Sequence, residues 1–161
     1  MRPRIFLSAP AVLQPAQKSA VNIWLHMMDD LGFAVMRLER PDYRPDVWGQ
    51  LQRLITTSDG VLALGFDQSS VCASARPPEA DGEALSASAW TSPWIHVEAS
   101  LGIVAGLPVL AIPDPGVAGG IFDPSVWVPP LYGLTPDMPR SIPEAWALAV
   151  KRGQRAGCTS P

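Results

Sequence analysis

A chain of 161 residues with 47% hydrophobic side chains and six Trp is long enough and apolar enough to bury one domain-sized core, which excludes a disordered polypeptide. The formal net charge of −3 comes without any basic cluster or stripe, which excludes nucleic-acid binding by phosphate neutralisation. No run of roughly 18 or more apolar residues is present to cross a membrane.

Arg2 and Arg4 stand before the apolar run "IFLSAPAVL", but Ser8 and Pro10 break it and no small-residue cleavage site follows. This argues against a secretory signal. Cys72 and Cys158 are isolated, with no CxxC spacing. Two free thiols in a reducing, cytoplasmic setting are expected.

"RIFLS" (Arg4 to Ser8) is a short apolar run closed by "AP", which reads as a buried strand and its turn. From about Pro15 to Leu31, Val21, Trp24, Leu25, Met28 and Leu31 recur at helical spacing, and Gly32 stops the helix. "FAVMRLE" (Phe33 to Glu39) predicts a second strand, followed by the loop "RPDYRPD". Val47 to Thr57 predicts a helix with Val47, Leu51, Leu54 and Ile55 on one face. "GVLALGF" (Gly60 to Phe66) is continuously apolar, as a strand covered on both faces must be.

Asp67 to Ala89 breaks the pattern. It is rich in Ser and Ala, holds "RPP" and "DG", and shows no periodicity. At about 23 residues it exceeds the usual loop limit of about 12–15 residues, so it reads as an insertion, either a lid or a disordered segment. Ser92 and Pro93 then open a helix as N-cap and first residue, and Gly106 ends it. "LPVLAIP" predicts a fourth strand, "VWVPPL" (Val126 to Leu131) a fifth, and "SIPEAWALAVKRG" (Ser141 to Gly153) a closing helix. Strands alternating with helices predict an α/β domain, a parallel sheet covered on both faces as three layers. A ligand of such a fold sits at the carboxyl ends of the strands.

The helix after Ser92 raises the functional question. Trp94, Val97, Glu98, Leu101 and Ala105 form one stripe, while Ile95, Ala99, Gly102 and Ile103 cover much of the other side. A helix apolar nearly all round is expected to be largely buried, so its one acid, Glu98, must be paired, protonated or facing a cavity. One reading has Glu98 bonded to the backbone or to a distant cation such as Arg4 or Arg53. The other makes it a nucleophile or cation-stabilising carboxylate in an apolar cleft.

The chain resembles two related families. "RIFLSAP" resembles the opening strand and small-small-Pro turn of the nucleoside 2-deoxyribosyltransferase family. "TSDGVLALGF" resembles that family's third strand, with Asp59 just ahead of it, and "HVEASLGIVAGLPVLAIPD" its catalytic segment. "SPWIHVE" is similar to the Ser-x-Trp-x-x-x-Glu segment of TIR domains, with Ser92, Trp94 and Glu98 in those places. The resemblance spans about Arg4 to Asp114 with a gap at the insertion. It implies one domain over residues 1–161, of about five strands in the flavodoxin-like order 2-1-3-4-5.

It also implies cleavage or transfer at an N-glycosidic bond of a nucleotide-like small molecule, with NAD or a nucleoside monophosphate as substrate. No cofactor or metal is implied, and a homo-oligomer is. Glu98 is the implied catalytic carboxylate and Asp59 its implied partner near the base. Phe6, Ser8, Ala9, Pro10, Ser92 and Trp94 are implied substrate contacts; Phe6 stands where many transferases carry a Tyr. Glu98, Ser8 and Asp59 are expected to line one cavity. His96, about 200° round the helix from Glu98, is not expected to join them. The same fold without activity, a nucleotide-binding or assembly module, is the alternative. Arg37, Arg40 and Arg44 follow the second strand, either near a phosphate or as a solvated loop.

Overall fold

The computed structural model describes residues 1–38, 45–69, 89–134 and 143–157. Strands β1 (Arg4–Ser8), β2 (Ala34–Met36), β3 (Gly60–Gly65), β4 (Val109–Pro113) and β5 (Leu131–Gly133) form one sheet. Its order is β2-β1-β3-β4-β5 and every pairing is parallel. The helices are α1 (Pro15–Asp30), α2 (Val47–Thr56), α3 (Pro93–Val104) and α4 (Glu144–Gly157). The expected architecture and strand order are those observed.

The period-2 geometry of strands sorts the core into two layers. Ile5, Leu7, Leu62, Leu64 and Leu110 project to one side, where they meet Val21, Trp24 and Met28 of α1 and Trp146 and Val150 of α4. Phe6, Val61, Ala63, Val109 and Ala111 project to the other, against Leu51 and Ile55 of α2 and Ile95 and Ala99 of α3. Every residue of β3 is buried, as expected of a central strand with helices on both faces.

Four details depart from the sequence reading. First, β2 is shorter than expected, and Arg37 and Leu38 leave the sheet. Second, β5 begins only at Leu131: Pro124–Val126 form a 3-10 turn and the Pro129–Pro130 peptide is cis. Adjacent prolines have no N–H to offer a ladder, so the strand starts after them. Third, α4 continues past Gly153 to Gly157. Fourth, α3 is not buried all round. Ile95, Glu98, Ala99 and Gly102 face inward, whereas Trp94, Val97 and Val104 are exposed. The thiols Cys72 and Cys158, the loop arginines Arg40 and Arg44 and most of the insertion lie outside the described residues.

Gly102 sets how closely α3 approaches the sheet. A Cβ there would lie 2.7 Å from Val61 Cγ2 and 3.2 Å from Val109 Cγ2. Only a bare Cα lets the helix settle against β3 and β4 at this depth. Glu98 stands one turn earlier on the same face, so this close approach also brings its carboxylate to the sheet.

Candidate active site

The carboxyl edge of the sheet opens into a cavity of about 970 Å³. The loop after β1, the first half of α1, the residues after β2 and the start of α3 enclose it. That is the crevice in which an open parallel sheet of this order holds its ligand.

Glu98 reaches the cavity wall from α3. Ser92 as N-cap and Pro93 at the first helical position start that helix, which fixes the phase that turns Glu98 inward. Its residue is only 9% exposed. The Ser8 hydroxyl, fully buried at the end of β1, donates a hydrogen bond to Glu98 Oε2. Strand alternation explains the meeting: Ser8 projects to the α3 side, as Phe6 does.

Burial drives the Glu98 carboxyl up from its ordinary 4.5 to about 7. The Ser8 hydrogen bond and the positive charge of Arg37 both pull it down, and desolvation outweighs them. Among the described residues no cation lies within ion-pair distance of it. The structural partners considered from sequence are engaged elsewhere. The Arg4 guanidinium contacts Met36 Sδ at 2.7 and 3.1 Å, and Arg53 pairs with Asp46 at 3.5 Å.

Asp59 does not join this site. It precedes β3 at the amino edge, where its Oδ2 accepts from the Arg4 backbone N–H at 2.7 Å. Its own N–H donates to the Arg4 carbonyl at 2.7 Å. Four residue steps along β1 lead from Arg4 to Ser8, about 13 Å at about 3.3 Å per residue. The two carboxylates therefore belong to opposite ends of the sheet. Phe6 is also absent from the cavity wall: it is 1% exposed and packs between the sheet and helices α2 and α3. Phe6 shares a face of β1 with Ser8 but stands two residues earlier, about 7 Å further from the carboxyl edge at about 3.3 Å per residue.

Ala9, Pro10, Ser92 and Trp94 do line the cavity, whereas Ser8, expected there too, is fully buried and off its wall, its hydroxyl bonded to Glu98. Trp94 is 41% exposed and packs on Trp48 of α2, with ring centroids 5.2 Å apart and planes tilted by 36°. Its indole is thus braced from outside while its inner part faces the cavity. His96 turns away, edge-on to Phe122 at 5.4 Å, and burial pulls its pKa down.

Sequence reasoning did not single out Lys18 or Gln68, both of which line the cavity. A cation in the first turn of a helix that lacks acids there runs against the helix dipole, and that was the available signal for Lys18. Gln68 is placed by a tertiary network: its N–H donates to the Trp90 carbonyl, and its amide lies near Gln17. The Asp67 carboxylate accepts from the N–H groups of Ser69 and Trp90, tying together the two ends of the insertion.

No protein-family model matches the sequence, and no curated protein matches it. Solved structures do match. The CMP N-glycosidase BcmB of Clostridium botulinum is similar over 96% of this chain and 98% of its own, with TM-score 0.51 and 13% identity. The 2-deoxyribosyltransferase of Bacillus psychrosaccharolyticus is similar over 72% of this chain and 76% of its own, with TM-score 0.46 and 17% identity. The 2-deoxyribosyltransferase of Leishmania mexicana is similar over 69% of this chain, with TM-score 0.46 and 12% identity. The chain spans 64% of that enzyme's length. The likeness is one of fold: a nucleoside 2-deoxyribosyltransferase-like α/β domain, as the sequence resemblance implied.

Proposed function

We propose that this chain cleaves or transfers at the N-glycosidic bond of a nucleoside or nucleotide, with the Glu98 carboxylate placed at the anomeric carbon. The observation that carries the reading is Glu98 itself: a buried acid held by Ser8, without an ion-pair partner among the described residues, on the wall of a cavity large enough for a nucleotide. A purely structural acid has no reason to be left so poorly solvated beside open volume.

The chemistry follows from the charge. As the bond to the base breaks, positive charge develops on the sugar in an oxocarbenium-like transition state. A carboxylate beneath that carbon stabilises the charge, and does so more strongly in a dry crevice than in water. It also offers a nucleophile for a glycosyl-enzyme intermediate, which an acceptor or water then resolves. Either role needs the ionised form. Ser8 and Arg37 favour that form by a hydrogen bond and by charge, so their function in this reading is to keep a desolvated acid usable near neutral pH. Trp94 supplies an aromatic wall for a base.

A second reading is favoured by one observation. Among the described residues lining the cavity Glu98 is the only acid, whereas glycoside cleavage commonly uses two carboxyl groups. A non-catalytic nucleotide-binding module fits that count. Incubation with NAD, nucleosides and nucleoside monophosphates, with chromatographic detection of free base, separates the two. Release from at least one compound, lost in Glu98→Gln, is the outcome expected of the enzyme. Binding without release from any of them is the outcome of the module.

A further inference from the structure

The described wall of the cavity carries a charge opposite to that of the protein as a whole. The chain as a whole carries −3, yet the described wall of the cavity holds two cations, Lys18 and Arg37, against the single acid Glu98. Glu98 is driven up to about 7, so at neutral pH it offsets only part of them. The described wall is therefore net positive, and a low-dielectric concave wall concentrates such charge.

Arg37 is held in place but not used up. It follows the last residue of β2 at the ligand-binding edge, half-buried, with Nη2 donating to the Pro10 carbonyl at 3.3 Å. A guanidinium carries five N–H donors, and no carboxylate among the described residues lies within ion-pair distance of it. Arg37 and Glu98 line the same cavity, and the positive charge of Arg37 opposes the rise that burial imposes on the Glu98 carboxyl. Lys18 approaches from the first turn of α1, where no acid offsets it and the positive end of the helix adds to it. No ion pair among the described residues engages Lys18 either. Two cations from separate elements, neither with an ion-pair partner among the described residues, line one cavity of an acidic protein, and an anion bound there gains from both.

We propose that Lys18 and Arg37 form an oxyanion-recognising subsite, and that the substrate of this site carries a phosphate or carboxylate that docks on them beside Glu98. The inference rests on the proposed function only in taking the cavity as the substrate site. A phosphate on the sugar and an acidic group on the base present the same chemistry to an Arg–Lys pair, so the test uses both sources.

The test is calorimetric titration of the full chain with ribose 5-phosphate in one arm and orotate, a carboxylated pyrimidine, in the other. Saturable binding is expected in at least one arm, weakening as salt is added. Arg37→Gln and Lys18→Gln should each weaken it by about tenfold or more, the range for a hydrogen bond to a charged group. Arg37→Lys, which keeps the charge but not the fork, should fall between. The arm that binds tighter identifies where the anion sits. Melting curves control for folding, and Lys18, exposed on α1, carries the test if the Arg37 variant does not fold.

No binding in either arm, or wild-type binding in the double variant, overturns the subsite. Glu98→Gln keeps the two cations and should bind these anions at least as tightly as the wild type. Loss of base release in Glu98→Gln with no anion binding in the wild type removes the subsite alone. Anion binding that depends on both cations, with base release untouched by Glu98→Gln, removes the catalytic reading alone.

Discussion

Glu98 and Asp59 are both carboxylates at an edge of the same sheet, and their surroundings assign them opposite work. At the amino edge, Asp59 receives a backbone N–H from Arg4 and returns its own N–H to the Arg4 carbonyl. That exchange fastens the start of β1 to the start of β3, satisfying two backbone groups that the ladder does not reach. At the carboxyl edge, Glu98 receives one hydroxyl and faces a cavity. The first acid is satisfied by the backbone; the second is desolvated beside open volume. Position relative to the strand direction, rather than residue type, separates the fastener from the acid proposed to react, because the ligand crevice of a parallel sheet opens at its carboxyl edge.

Paired substitutions sharpen that contrast. The largest effect is expected for Glu98→Gln: base release falls by on the order of 100-fold or more, the usual loss when one key electrostatic group is removed. Asp59→Asn, measured alongside, should leave turnover per folded molecule intact. Equal losses in both variants would erase the distinction between the two ends.

The next effect is on stability. The Glu98 pKa is raised on folding from 4.5 to about 7, so the folded state binds the proton more tightly than the unfolded chain. Its contribution is fully present below pH 4.5 and is lost as pH rises through about 7. The span corresponds to about 3 kcal/mol. Urea melts of wild type and Glu98→Gln should therefore converge at acid pH and diverge above neutrality, the amide being the more stable at pH 8.5. A wild type that matches the variant across this window would show that Glu98 is solvated after all.

Asp59→Ala should lower stability by about 1–3 kcal/mol, the cost of leaving the Arg4 N–H without its acceptor, and urea melts at constant pH report it. Turnover per folded molecule should not change. Ser8→Ala should have the smallest effect on stability and a directional one on activity. The hydroxyl favours the charged carboxylate, so its loss moves the midpoint of the pH–rate profile upward. A downward or absent shift would mean that Ser8 only fills space.

Much of this was legible beforehand. Continuous apolar runs marked β1, β3 and β4 because fully covered strands need no polar face, and Ser92–Pro93 and Gly106 bracketed α3 because caps act locally. The inward turn of Glu98 followed from an acid without local cations on an apolar helix. Other features depend on tertiary register that no local pattern carries. Asp59 was assigned to the site by resemblance, although its place just ahead of β3 in a parallel sheet already sets it at the amino edge, opposite Ser8 at the end of β1. Phe6 fell to the core by strand parity, which becomes decisive only once α2 and α3 are known to cover that face. The exposed side of α3, with Trp94, Val97 and Val104, has the composition of a buried surface, so hydropathy alone misjudged it. Lys18 lay unremarked because its significance depends on Arg37, brought to the same cavity from the loop after β2.

The most direct test of the central claim is base release from the best substrate of the panel, followed from pH 5 to 9 in wild type and Glu98→Gln. If an ionised, desolvated Glu98 performs the reaction, the wild-type rate rises with pH and levels off with a midpoint of about 7. The variant stays flat and lower by on the order of 100-fold. A wild-type midpoint near the ordinary carboxylate value of 4.5, or a variant that follows the wild-type curve, contradicts the account.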